Sequence, residues 1–167
     1  MVSYDMTEAA YSFSEHLILA TRGYRTPQDF RADRPYILVA DDTYEILSVV
    51  MLLLESEGYA GIGFVDSCQV PRFLEEIRVE NAANPCSSLR FPSLILLDLM
   101  MPVLSGDDLA AWLSQHAEYR HIPLMLMTAH PSIRSLETLP GVVEILGKPF
   151  DIDMLLEKIE THLNCLA

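Results

Sequence analysis

Asp98 directly follows the run Ser93-Leu94-Ile95-Leu96-Leu97, and Leu99-Met100-Met101-Pro102-Val103-Leu104-Ser105-Gly106 comes after it. A carboxylate behind five strand-forming positions stands at the carboxyl end of a buried strand, where open α/β sheets gather ligands and chemistry. Pro102 and Gly106 force a tight loop there, so the acid stays uncovered. Asp41 and Asp42 close a second such run, Tyr36-Ile37-Leu38-Val39-Ala40, and Lys148 closes a third, Val142-Val143-Glu144-Ile145-Leu146. Three acids and a lysine at parallel strand tips suit a divalent cation and a phosphoryl group. Taken singly, each acid is also the residue type that caps a helix. Helix capping, however, gives no reason for acids and a lysine to share one edge of a sheet.

The elements that would position these groups alternate from Tyr36 onward. Short apolar runs near 36–40, 60–65, 93–97, 122–127 and 142–146 read as buried strands. Between them lie helical periods. Val70, Phe73, Leu74 and Ile77 form an i, i+3, i+4, i+7 stripe opened by Ser67 as cap, and Leu109, Trp112 and Leu113 follow Ser105 and Asp108 in a capping-box pattern. Ile152, Leu155, Leu156, Ile159 and Leu163 make the last stripe, capped by Asp151. Five βα units in sequence imply right-handed crossovers and a five-stranded parallel sheet covered on both faces. In a 2-1-3-4-5 strand order the acids of the first and third strands meet at the switch point. Residues 81–92 read as a surface loop.

Half of the 167 residues are apolar and the mean hydropathy is +0.22, enough to bury a full core. No uncharged apolar stretch reaches the ~18 residues of a membrane span, and no basic-then-apolar leader opens the chain. A formal net charge of -13 argues against nucleic acid as a direct partner. Cys68, Cys86 and Cys165 show no CxxC spacing, which fits reduced thiols of a cytoplasmic protein. The five histidines form no metal-ligand pair. Residues 1–34 stand apart as an N-terminal extension. An apolar cluster from Ala9 to Leu19 reads as a loosely held segment, or as a short helix docked on the domain or a partner. A polar stretch with Arg22, Arg25, Arg31 and Arg34 follows as a linker.

Asp41-Asp42 after a strand, Asp98-Leu99-Met100-Met101-Pro102 through Gly106, Met127-Thr128-Ala129 and Lys148-Pro149-Phe150 together resemble the receiver domain of two-component response regulators. The resemblance covers about residues 35–164, leaving 35–167 as the domain. It implies a flavodoxin-like doubly wound (βα)5 fold. It further implies that Asp98 accepts a phosphoryl group from a phosphohistidine, and that Mg²⁺ is held by Asp41, Asp42, Asp98 and the backbone carbonyl of Met100. Lys148 and Thr128 would contact phosphoryl oxygens, with a cis bond before Pro149. The partner would be a histidine kinase or a histidine phosphotransfer protein. Met100 and His130 occupy positions that tune dephosphorylation in this family, and bulk at Met100 is expected to give a long-lived phosphoaspartate.

Three features depart from the family pattern. Ile145 stands where an aromatic residue is usual. The segment from Thr128 to Lys148 is short, with Pro131 and Pro140 bracketing an abbreviated fourth helix. The first helix is apolar almost all round, from Ile46 to Leu54, and its Leu47 and Met51 are expected to project outward as a docking patch for a four-helix-bundle partner or to lie beneath the N-terminal segment. With the chain ending soon after its last amphipathic helix, a stand-alone receiver without an output domain is expected, catalysing only its own phosphorylation and dephosphorylation. Two rivals stay open: a phosphorylation-independent protein-binding module, and a phosphatase with an Asp nucleophile. The latter wants Asp-x-Asp, and Met100 fills the second place.

Overall fold

The computed structural model describes residues 19–20, 35–84, 89–130 and 138–164. In chain order the elements are β1 (Leu19–Ala20), β2 (Tyr36–Ala40), α1 (Tyr44–Ser56), β3 (Ala60–Phe64), α2 (Gln69–Ala83), β4 (Leu94–Asp98), α3 (Gly106–Gln115), β5 (Leu124–Thr128), β6 (Val142–Gly147) and α4 (Ile152–Asn164). They form one sheet of order β1-β3-β2-β4-β5-β6. From β3 to β6 every pairing is parallel, which is the expected 2-1-3-4-5 order. The addition is β1, which runs antiparallel to β3 with Leu19 opposite Gly63. So part of the N-terminal extension joins the sheet edge, an arrangement that neither sequence reading of it anticipated. Ala9 to Ile18, the arginine stretch and the expected short helix between Pro131 and Pro140 (residues 131–137) lie outside the described residues.

Strand parity divides the core into two layers. Leu38, Ala40, Ile62, Phe64, Ile95, Leu97 and Leu126 face α2 and α3, meeting Val70, Phe73, Leu74, Leu109 and Leu113. Ile37, Val39, Leu94, Leu96, Met125 and Met127 face α1 and α4, meeting Leu47, Val50, Met51, Leu54, Leu155 and Ile159. Because both faces are covered, the strands β2, β3, β4 and β5 are buried along their whole length.

The orientation of α1 corrects the expected docking patch. Leu47 is fully buried and Met51 nearly so, while Val49 and Leu52 are the apolar residues left 56% and 68% exposed. The inward stripe is Leu47, Val50, Met51 and Leu54, and β3 explains the choice. A Cβ on Gly63 would lie 2.9 Å from Leu47 Cδ1, and one on Gly61 would lie 3.3 Å from both Leu54 Cδ1 and Met51 Cε. The two glycines leave the room that these side chains fill, so Leu47 and Met51 are core residues and form no docking surface.

Helix ends differ in detail from the sequence reading. Asp66 Oδ1 accepts from the Cys68 amide at 2.9 Å before α2, while the Ser67 hydroxyl turns away to the Pro102 carbonyl. Ser105 donates to the Asp108 carboxylate at 2.7 Å with no bond to a helix amide, so the capping box closes through side chains alone. Asp151 does cap α4, accepting from the Asp153 amide at 2.8 Å. The expected loop from Asn81 begins later, since α2 runs to Ala83; the Asn81 amide exchanges two 2.9 Å hydrogen bonds with the Leu89 backbone. Among the described residues no helix is long and apolar enough to cross a membrane.

Candidate functional site

The tips of β2, β4 and β6 bring four sequence-selected residues together. Asp41 is fully buried just past β2, where its amide donates to the Phe64 carbonyl at 3.1 Å. Its Oδ1 accepts from the Thr43 amide at 2.9 Å, which fixes the carboxylate, and its Oδ2 accepts from Lys148 Nζ at 2.6 Å. Asp98, 5% exposed at the end of β4, accepts on Oδ1 from the Met100 amide at 3.3 Å and lies 3.2 Å from Lys148 Nζ. Asp42 is exposed beside them. Asp41, Asp42 and Asp98 each offer one carboxylate oxygen within 4.8 Å of the others.

Lys148 reaches the acids because its amide donates to the Thr128 carbonyl at 2.7 Å, continuing the β5–β6 ladder one residue beyond Gly147. The Lys148–Pro149 bond is cis, as expected. Thr128 is buried at the end of β5, one residue past Met127, which pairs with Asp98. Its Oγ1 accepts from the His130 amide at 3.0 Å, leaving the hydroxyl proton available. Met100 is 67% exposed at the rim and His130 is exposed as well. Ile145 packs half-buried against the α2/α3 layer of the core.

Electrostatics set this edge apart. Burial lifts the Asp98 carboxyl above its ordinary pKa; the Lys148 charge opposes this, the Asp41 charge adds to it, and the Met100 amide opposes it. Among the described residues three carboxylates face one ammonium, so negative charge is in excess there. An all-oxygen donor set with surplus negative charge fits a hard divalent cation, and Mg²⁺ needs only one or two protein carboxylates. The loop after Asp98 is shaped by Gly106, where a Cβ would lie 2.8 Å from the Asp98 carbonyl oxygen and from Leu99 Cα.

Two residues of this edge were not assigned to it from sequence. Ser67 reads as a helix cap, yet its hydroxyl donates to the Pro102 carbonyl in the Asp98 loop at 3.2 Å. Val103, in the same loop, has a positive φ of 68°. A Ser inside an Asp-Ser-Cys turn carries no signal of a partner 35 residues away.

A doubly wound sheet with this edge defines a class of signalling domain, and the comparisons agree. The chain belongs to the response regulator receiver domain family, whose model matches residues 37–160. It is 28% identical over 147 residues to the sensor histidine kinase TmoS of Ectopseudomonas mendocina, covering 87% of this chain and 14% of that protein. It is 26% identical over 132 residues to the polar-differentiation response regulator DivK of Brucella anthropi, covering 77% of this chain and 95% of DivK. The fold also matches the receiver domain of a Pseudomonas aeruginosa sensor histidine kinase, solved with a magnesium ion coordinated in its active site cleft. There the TM-score is 0.62 at 22% identity, covering 78% of this chain and 98% of that one. The chain is therefore a response regulator receiver domain of two-component signalling.

Proposed function

We propose that this receiver takes a phosphoryl group from a phosphohistidine onto Asp98, uses Mg²⁺ to do so, and signals in the cytoplasm by contact with another protein. The domain is residues 35–167, with 1–34 as its extension. The observation that carries the reading is the convergence of Asp41, Asp42 and Asp98 within 4.8 Å, with the Lys148 ammonium 3.2 Å from Asp98.

A carboxylate oxygen of Asp98 attacks phosphorus. A P–O bond forms while the P–N bond breaks, and the imidazole, already protonated on its other nitrogen, leaves neutral with the electron pair. Asp41, Asp42, Asp98 and the Met100 carbonyl would hold the cation; when bound, Mg²⁺ screens the repulsion between carboxylate and phosphoryl oxygens. Lys148 sets a point charge against a phosphoryl oxygen, and the Thr128 hydroxyl donates to another. The exposed bulk of Met100 beside Asp98 hinders attacking water, so the phosphoaspartate is long-lived; a lifetime of only seconds would count against that.

The donor is a histidine kinase or a histidine phosphotransfer protein, and no diffusible substrate is turned over. Transfer from a radiolabelled phosphohistidine protein tests the reading: the label should move to this chain, change from alkali-stable to alkali-labile, and fail to appear in Asp98→Asn. A label retained in that variant would sink it. One observation favours a phosphorylation-independent module instead. Ile145 packs against the core where a mobile ring is usual in the family, and a phosphorylated protein whose partner binding is unchanged would select that alternative.

A further inference from the structure

The turn that follows Asp98 is strained and is tied down from a neighbouring loop. Val103 has a φ of 68°, a region that β-branched residues rarely enter. The Leu104 amide donates to the Pro102 carbonyl at 2.8 Å, closing a γ-turn around Val103 of the positive-φ kind, which is rare and strained. Val103 is 81% exposed, so side-chain packing does not hold it there.

The ends of the loop are pinned. The Leu99 amide donates to the Met127 carbonyl at 2.9 Å and the Gly106 amide to the Leu99 carbonyl at 3.0 Å. Between them, the Pro102 carbonyl takes its second hydrogen bond from Ser67, whose side chain is buried at 1% exposure. Among the described residues this is the one hydrogen bond joining residues 100–105 to a part of the chain other than the adjoining β4 and α3. The Met100 amide lies 3.3 Å from Asp98 Oδ1, a long contact that holds the loop weakly.

We propose that Ser67 is a positioning residue for the phosphoacceptor site. Its hydroxyl keeps the Pro102–Val103–Leu104 turn in the strained form and so fixes the Met100 carbonyl, two residues upstream of Pro102, beside Asp98. The proposal rests on the phosphoacceptor reading, in which that carbonyl is a cation ligand. Strained backbone persists where its surroundings over-determine it; with the Ser67 donor removed, Val103 relaxes towards negative φ and the carbonyls around it re-aim.

The test combines Ser67→Ala, Val103→Gly and the double variant in the full chain. Mg²⁺ affinity is read by calorimetry, Val103 geometry by its intraresidue amide–Hα NOE, and folding by a cooperative melt. Ser67→Ala should weaken Mg²⁺ binding about fivefold and lose the strong NOE of positive φ. Glycine adopts positive φ without strain, so in the Val103→Gly background Ser67→Ala should weaken Mg²⁺ binding less than about twofold. Unchanged affinity in Ser67→Ala, a relaxed Val103 with unchanged affinity, or the same weakening in both backgrounds would each overturn the proposal. A wild-type protein that binds no Mg²⁺ fails at an earlier step: it overturns the phosphoacceptor reading and this proposal with it.

Discussion

Glu75 and Asp98 are both carboxylates withdrawn from water, yet their pKa values move in opposite directions. Glu75, on α2, accepts from the Tyr119 hydroxyl at 2.7 Å and from Arg78 Nε at 2.8 Å. Burial pushes its pKa up, but the Arg78 and Tyr119 hydrogen bonds and the Arg78 charge outweigh that, and it falls below the ordinary value. Tyr119 responds in kind: burial and the Glu75 hydrogen bond raise its phenol well above normal. Around them Trp112 stacks on Tyr119 with centroids 5.2 Å apart, and Phe91 meets the same ring edge-on. That network is closed, with one carboxylate balanced by one guanidinium and a hydroxyl. Among the described residues the edge holding Asp41, Asp42 and Asp98 has a single ammonium, and Asp98 is raised. A network that only stabilises a fold completes its own charges; the open one keeps the surplus negative charge that the proposed cation and phosphoryl transfer call for.

Substitutions can break this contrast, beginning with the largest effect. Lys148→Ala leaves the buried Asp41 carboxylate unpaired and should cost about 3 kcal/mol in chemical denaturation. Arg78→Ala, at a half-exposed pair on α2, should cost less than about 1 kcal/mol. Equal costs would mean that both ion pairs are ordinary structural ones. Tyr119→Phe should cost about 1 kcal/mol, the net worth of one hydrogen bond. Asp98→Asn should go the other way and raise the melting midpoint by about 2–4 °C at neutral pH, since its charged form is disfavoured in the fold. A destabilised Asp98→Asn would show that its charge is already balanced.

The smallest effect is in acid. Because the folded pKa of Glu75 lies below its ordinary value of 4.5, its contribution is present above pH 4.5 and is lost as pH falls through the depressed value. Asp98, raised in the fold, opposes folding when charged, and that penalty eases as pH falls. A pH series of melts should therefore decline less steeply below pH 4.5 in Glu75→Gln than in the wild type. An identical decline would place the acid sensitivity elsewhere.

What was legible in the sequence follows from what is local. Strand tips are local: an acid after an apolar run reads directly, and so Asp41, Asp98, Thr128 and Lys148 fall where expected at one edge. The facing of α1 is not local. Its apolar residues cover nearly the whole helix circumference, so periodicity is silent, and the choice of Leu47 and Met51 as the inner stripe is made by Gly61 and Gly63 across the interface. The two-residue strand β1 exists only through its partner β3, and two residues carry no period. Ser67 and Tyr119 show the same limit, since each finds its polar partner across 35 or 44 residues and their neighbours offer other uses for a hydroxyl.

The most direct measurement is intact mass after incubation with acetyl phosphate, with and without Mg²⁺, for the wild type, Asp98→Ala and Glu75→Gln. The account predicts a gain of one phosphoryl group in the wild type and in Glu75→Gln, dependent on Mg²⁺ and absent from Asp98→Ala. Labelling that survives in Asp98→Ala, or that proceeds equally without Mg²⁺, would contradict it.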